Sequence, residues 1–278
     1  MFLFRALIFL LLAAPAWAVE GYIIGGGLES DSADGYAASI IGELKIADET
    51  WLSAAIAKST AELPRDLTLD TVFGDVGIDH WFKPVGISAS LAYWGDHNIL
   101  DSVNYRASVY WRSAKVRISG DVEYRDFELD FPATDRFPVR KTTFSATGFG
   151  LSTRFKLSDR TDLSIYGMNY EYDVNFRLDE NDRIRELLSV SRLSLLNSLV
   201  DYRVGASLSL DVGKRQWQLE LATWQGEADQ EITKSATIRF ITPLGQASDI
   251  EFGLGIDKSD VYGNTTFLSV FMYFYGGS

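Results

Sequence analysis

Apolar and polar residues alternate with a period of two along most of this chain. The odd positions of 217–223 are Trp, Leu, Leu and Thr, whereas the even positions of 216–222 are Gln, Gln, Glu and Ala. A helix would mix these two sets within one turn, so the pattern predicts β-strands with one apolar and one polar face. The same separation recurs in 103–112, 115–125, 166–177 and 249–257.

The alternation predicts thirteen clear strands and one weak one. The weak strand, Gly21 to Leu28, is rich in glycine but has Tyr22 and Ile24 on one face. It completes an even count, as is usual in single-chain bacterial barrels. We therefore predict fourteen strands, with twelve as the alternative if two weak strands are misread. The thirteen clear strands are at about 34–46, 50–59, 67–82, 85–95, 101–112, 115–129, 141–157, 161–178, 199–212, 215–226, 231–242, 248–259 and 264–275.

The connections between these strands alternate in length. Short turns, such as 113–114 and 213–215, alternate along the chain with mostly longer polar loops, such as 130–140 and 179–198. Periplasmic turns and extracellular loops alternate in this way in outer-membrane barrels, whereas a soluble sandwich has no reason to sort its loops. The pattern favours an all-β, transmembrane, antiparallel up-and-down barrel.

Aromatic residues on the apolar faces lie close to the short turns. Amphipathic rings in such positions form a girdle at a membrane interface. The alternative is that aromatic residues are simply good strand formers. The predicted girdle consists of Phe82, Trp111, Phe155, Trp217 and Phe240.

The first eighteen residues have the three parts of a secretory signal peptide. Arg5 precedes an apolar stretch, and Ala16-Trp17-Ala18 is a small-x-small cleavage site. We expect cleavage after Ala18, which leaves 19–278 as one barrel domain. The apolar stretch is too short to cross roughly 30 Å of hydrocarbon as a helix.

Together these features resemble the outer-membrane β-barrel channels of Gram-negative bacteria, and in size the chain is similar to the small monomeric fourteen-stranded porins. The final strand also resembles the assembly signal of such barrels, with Phe267, Phe271, Tyr273 and Tyr275 alternating, although the chain continues to Ser278. The resemblance implies an outer-membrane location, contact with membrane lipid and recognition by the barrel assembly machinery. It also implies the passage of small polar solutes.

The composition argues against several classes of partner and reactive site. The formal charge of -12 argues against nucleic acid as a partner, because phosphate binding needs clustered Lys and Arg. With no cysteine, the chain has no thiolate nucleophile and no disulfide framework. Ligand clusters and phosphate-loop motifs are also missing from the sequence, so neither a metal nor a cofactor is expected.

Charged residues on the polar faces divide between two predicted walls of the lumen. The sixth and thirteenth strands are opposite each other in a ring of fourteen, so a basic and an acidic wall would create a transverse field that orients polar solutes. Alternatively, these charges only neutralise and solvate one another. The predicted basic residues are Arg106, Arg112, Lys115, Arg117, Arg125 and Arg154, and the acidic residues are Asp211, Glu220, Asp249, Glu251 and Asp257.

Two further features leave alternatives open. The stretch 179–198 is either an amphipathic helix folded into the lumen or an extension of the tenth strand. His97 stands next to Asp96 in a polar loop, where the pair could act as an acid-base couple in an outer-membrane hydrolase, but no nucleophile motif accompanies it. We therefore predict a channel and no enzyme. The alternative is an anchor or assembly barrel with a plugged lumen.

Overall fold

A computed structural model describes residues 21–63, 67–96, 100–131, 140–173, 199–227, 230–260 and 263–277. The predicted signal peptide, His97 and the stretch 179–198 lie outside the described residues. No helix within those ranges is long and apolar enough to cross a bilayer.

Fourteen antiparallel strands form a closed barrel in which every strand pairs with its neighbours in the chain and β1 pairs with β14. The prediction of fourteen strands is confirmed, and the alternative of twelve is wrong. The strands are β1 Gly21–Asp31, β2 Tyr36–Ala47, β3 Thr50–Leu63, β4 Leu67–Trp81, β5 Val85–Gly95, β6 Leu100–Arg112, β7 Val116–Phe131, β8 Arg140–Ser158, β9 Thr161–Tyr172, β10 Val200–Val212, β11 Arg215–Gly226, β12 Ile232–Pro243, β13 Ser248–Ser259 and β14 Gly263–Gly276.

Three irregularities interrupt the regular pairing. Two of them lie next to short turns, between Lys45 and Ala47 and between Lys156 and Ser158. The third, between Val200 and Tyr202, begins β10 at the opposite end of the barrel. Pro243 is the last residue of β12 and pairs with Asp249, so this strand extends one residue beyond its predicted end at 242.

The outer surface of the barrel is a belt of apolar side chains. Leu28, Leu151 and Leu254 are each more than half exposed, and every strand contributes to the belt along one face. An apolar surface of this extent is unstable in water but matches the hydrocarbon core of a membrane. The alternate residues of each strand, which carry most of the charges, face the lumen. The alternation in the sequence thus places alternate residues on a lipid-facing and a lumenal surface.

Candidate functional site

The predicted basic wall follows the lumenal faces of β6, β7 and β8. Arg106 and Arg112 lie on β6, Arg117 and Arg125 on β7, and Arg154 on β8. Lys115 does not belong with them, because β7 begins only at Val116 and Lys115 is an exposed residue of the preceding turn.

Glu123 is the centre of a buried ion-pair cluster within this wall. Its side chain is fully buried, and Oε1 accepts a hydrogen bond from Arg125 Nε at 2.9 Å. The other oxygen, Oε2, accepts hydrogen bonds from Arg106 Nη2 at 3.2 Å and from the Tyr170 hydroxyl at 3.0 Å. Arg125 is also buried, with 8% of its side chain exposed, whereas half of the Arg106 side chain is exposed to the lumen. The cluster therefore presents Arg106 as its open positive end.

Near the short-turn end, three arginines stand side by side in the sheet. Arg117 is the direct partner of Arg112 on one side and of Arg154 on the other. Like charges directly opposite each other destabilise a sheet, so such a row needs compensation. Arg154 forms an ion pair with Asp162 at 2.7 Å, and the Arg112 guanidinium lies 5.0 Å from the centre of the Trp81 ring.

The acidic wall contains a cation that the sequence reasoning missed. Arg239, on β12, lies between Glu220 on β11 and Glu251 on β13, at nitrogen–oxygen distances of 3.4 and 3.6 Å. Its alternation within β12 would have placed it on the lumenal face. The charges on each wall are therefore partly neutralised by neighbours on the same wall.

The other predicted acidic residues have local partners. Gln216 donates a hydrogen bond to Asp211 at 2.8 Å, and the Tyr275 hydroxyl donates one to Asp249 at 2.9 Å. Asp257 is buried on the lumenal side of β13.

Three lumenal tyrosines share one arrangement, which we call a tyrosine unit. Each ring lies across a glycine of the neighbouring strand, its hydroxyl donates a hydrogen bond to a carboxylate two strands away, and an arginine lies over its face. The units are Tyr110 with Gly86, Asp79 and Arg117; Tyr166 with Gly205, Glu220 and Arg203; and Tyr170 with Gly148, Glu123 and Arg125.

The geometry of the three units is similar. The hydroxyl-to-carboxylate distances are 2.8 Å for Tyr110, 2.9 Å for Tyr166 and 3.0 Å for Tyr170. The guanidinium carbon lies 3.8, 5.7 and 4.1 Å from the respective ring centres, which is within the range of cation–π attraction. The rings can lie flat along the wall because the glycines beneath them have no side chain. A Cβ atom at any of these glycines would overlap the ring. Flat rings leave space in the lumen that upright rings would fill.

Cavities occupy the lumen at both ends of the barrel. One of about 520 Å³ touches Arg106, Arg125 and Arg203 and lies in the half that carries the longer connections. A second, of about 490 Å³, touches Arg106, Arg112 and Arg117 nearer the short turns. Because Arg106 borders both, it stands between the two halves of the lumen. A third, of about 530 Å³, lies next to the acidic wall, and its charged lining consists of four carboxylates and two cations: Glu43, Asp211, Asp249, Glu251, Lys214 and Arg215.

The predicted girdle residues lie on the outer face close to the short turns. Phe82, Trp111 and Trp217 are each more than 40% exposed. The Trp217 and Phe240 rings are in contact, with centres 4.5 Å apart, and Phe155 is half-buried on β8. This face also carries His80, whose Nδ1 lies 2.7 Å from Thr50 Oγ1.

Glu227 marks the far end of the barrel, just beyond β11. Its burial and the nearby Asp201 raise the pKa of its carboxyl, while a hydrogen bond from Gln230 opposes that shift. A carboxyl with a raised pKa becomes neutral more easily in the folded state, so its contribution to stability increases as the pH falls through that pKa. Within the described part of the chain, no three His, Asp or Glu side chains are grouped so as to hold a metal ion.

Comparisons with known proteins identify the fold. No family model matches the chain, and no curated protein matches its sequence. Solved structures do match: the CymD monoaromatic hydrocarbon channel aligns with 94% of this chain and 89% of its own, with a TM-score of 0.59 and 8% identity. The fold is that of an outer-membrane β-barrel.

Two other solved barrels agree with this assignment. A deletion mutant of the TodX monoaromatic hydrocarbon channel aligns with 96% of this chain and 92% of its own, at a TM-score of 0.56 and 7% identity. OmpT, an outer-membrane protein of Vibrio cholerae, aligns with 93% of this chain and 99% of its own, at a TM-score of 0.51 and 8% identity. At these identities the likeness is one of fold.

Proposed function

We propose that this barrel is a passive outer-membrane channel for small polar solutes or ions. The observation that carries the proposal is the charged lumen, in which cavities of about 500 Å³ lie at both ends and share Arg106. CymD and TodX, which have the same fold, are named as channels. An apolar exterior around a polar interior is the usual construction of a barrel that conducts.

Conductance in a planar bilayer tests this function. The refolded protein should produce discrete current steps in a simple salt solution. Absence of steps from protein that has folded and inserted would support the second candidate, an anchor or assembly barrel with a plugged lumen. One observation favours that candidate: lumenal Leu100, Phe127 and Phe144 are buried at the long-loop end, and the two phenyl rings are stacked 4.7 Å apart.

We further propose that the two lumenal walls create a transverse field. Among the described side chains, β6 to β8 place six basic and two acidic residues on the lumenal face, whereas β11 to β13 place one basic and four acidic residues there. The residual charges are opposite in sign, despite Glu123 on one wall and Arg239 on the other. A dipolar solute would be oriented across such a pore.

The apolar belt and the aromatic residues near the short turns would contact membrane lipid, and the aromatic residues of β14 would be recognised by the barrel assembly machinery.

We propose no enzymatic activity, because the named channels share the fold and His80 lies on the outer face, hydrogen-bonded to Thr50. A hydrolase screen with a His97→Ala variant tests that part of the proposal.

A further inference from the structure

Two buried hydrogen-bond donors lie side by side in the lumen without acceptors. Arg203 on β10 and Trp224 on β11 are direct partners in the sheet. Within the described structure, Arg203 Nε and Trp224 Nε1 are both buried and have no hydrogen-bond partner. Buried donors rarely lack an acceptor, and leaving one unsatisfied is costly. The pair thus marks a place for an acceptor from outside the described residues.

The charge around this pair favours an anionic acceptor. Arg203 lines the 520 Å³ cavity together with Arg106 and Arg125, and the carboxylates that line it are Asp121 and Glu123. Both oxygens of Glu123 already accept hydrogen bonds from arginines, and Asp121 accepts hydrogen bonds from two serines. With three arginines and two carboxylates, the lining therefore carries one more positive than negative charge. Of the three arginines, Arg106 and Arg203 are the less buried.

Other residues of the same cavity favour an aromatic or apolar body. Phe73, Trp94 and Met168 line it, and the rings of Tyr166 and Tyr170 lie flat along its wall. Its volume is within the range of about 300–1,000 Å³ that is typical of small-molecule sites. Guanidinium groups bind carboxylates with two parallel hydrogen bonds and also stack on aromatic rings.

We propose that this cavity is a binding site for small aromatic carboxylates, with the carboxylate held at Arg203, the member of the pair that lines the cavity, and the ring held against the aromatic lining. The proposal rests on the proposed channel function and names its substrate class. Arg106, at the boundary with the second cavity, would receive the anion next on its way toward the short-turn end.

Calorimetric titration of the refolded barrel in detergent tests the site without requiring conductance. The probes are benzoate, acetate, benzyl alcohol and benzylamine, which separate the charge from the ring. We expect benzoate to bind about tenfold or more tightly than each of the other three, since charge-assisted hydrogen bonds and ring contacts both contribute. Equal binding of benzoate and benzyl alcohol, or no binding of benzoate, would overturn the proposal.

Variants then locate the site. Arg203→Gln should weaken benzoate binding by about tenfold or more, and Arg203→Lys, which keeps the charge but loses the planar donors, by a smaller factor. Arg160→Gln removes an exposed arginine from the turn before β9 and should leave binding unchanged. Wild-type affinity in either Arg203 variant refutes the assignment, and the lysine variant keeps the test decisive if the glutamine variant does not fold. A barrel that conducts but does not bind benzoate contradicts only this inference, whereas one that binds it without conducting contradicts only the channel.

Discussion

Tyr170 and Glu123 lie two strands apart, yet the tyrosine hydroxyl donates a hydrogen bond to the carboxylate across 3.0 Å. The contact is possible because Gly148, on the strand between them, has no side chain to separate the ring from the wall. The same carboxylate holds Arg106 and Arg125. One glycine thus allows a tyrosine to join an ion-pair cluster that spans four strands of the lumen.

Replacing this glycine should therefore weaken the cluster. In Gly148→Ala the new methyl group would lie 2.5 Å from the Tyr170 ring, which must move and give up its hydrogen bond. Overpacking of this kind costs about 1–3 kcal/mol in the free energy of unfolding. The matched control is Gly120→Ala on β7, where a methyl group meets nothing within 4 Å. Urea unfolding in lipid measures both, and an equal effect of the two changes would show that the close approach is unimportant.

Removing the charge of Glu123 should have a larger effect. Glu123→Gln leaves the buried Arg125 without its ion pair, and breaking a buried pair typically costs about 3–5 kcal/mol. Glu128→Gln on the same strand is the control, because Glu128 and its partner Lys141 are both exposed and such changes stay within about 0.5 kcal/mol. If Glu123→Gln unfolded at the same urea concentration as the wild type, the cluster would not stabilise the barrel.

Neighbouring residues of β10 test which face of the barrel meets lipid. Leu208 is exposed on the outer surface, so Leu208→Arg should destabilise the barrel by about 2–4 kcal/mol in a bilayer. The next residue toward the N-terminus, Ser207, faces the lumen as a direct partner of Glu220. Ser207→Arg should be tolerated there, since its charge gains a carboxylate. Refolding yield and urea unfolding in vesicles compare the two, and the opposite order of stability would mean that the assignment of faces is reversed.

The transverse field makes a prediction about ion selectivity. Neutralising Arg106, Arg112 and Arg117 together, by substitution with Gln, removes half of the lumenal basic residues described on β6 to β8. The reversal potential in a salt gradient should shift toward cation preference. Neutralising Asp211, Asp249 and Glu251 should shift it in the opposite direction. An unchanged reversal potential in both triple variants would mean that the charges only neutralise one another.

Periodicity predicts the barrel well because it reports on local chemistry. The alternation in 217–223, for instance, places Leu219 and Leu221 outside and Glu220 inside, as the structure shows. The tyrosine units depend instead on contacts between different strands, because each hydroxyl reaches a carboxylate two strands away. In one unit, Gly205 and Tyr166 also face each other across the pairing of β9 with β10, whose connection spans 173–199. Alternation within a single strand does not specify such contacts, so the units could not be predicted from it.

The ion-pair partners of the lumenal charges could not be predicted from the sequence for a related reason. Arg239 has the alternation of a lumenal residue, but its position between Glu220 and Glu251 depends on the pairing of three strands. The prediction for Lys115 was wrong because β7 begins one residue later than predicted, at Val116. Lys115 therefore lies in the turn and not on the basic wall. Strand ends are the least certain part of any reading from periodicity.

Single-channel recording in planar bilayers tests the central claim most directly. Refolded protein, with folding and insertion verified by resistance to urea, should open discrete ion-conducting steps whose reversal potential responds to the charges of β6 to β8. The same protein denatured before addition serves as the control. A folded and inserted barrel that produces no current steps would contradict the account, because a passive channel requires a lumen that is open to ions from end to end.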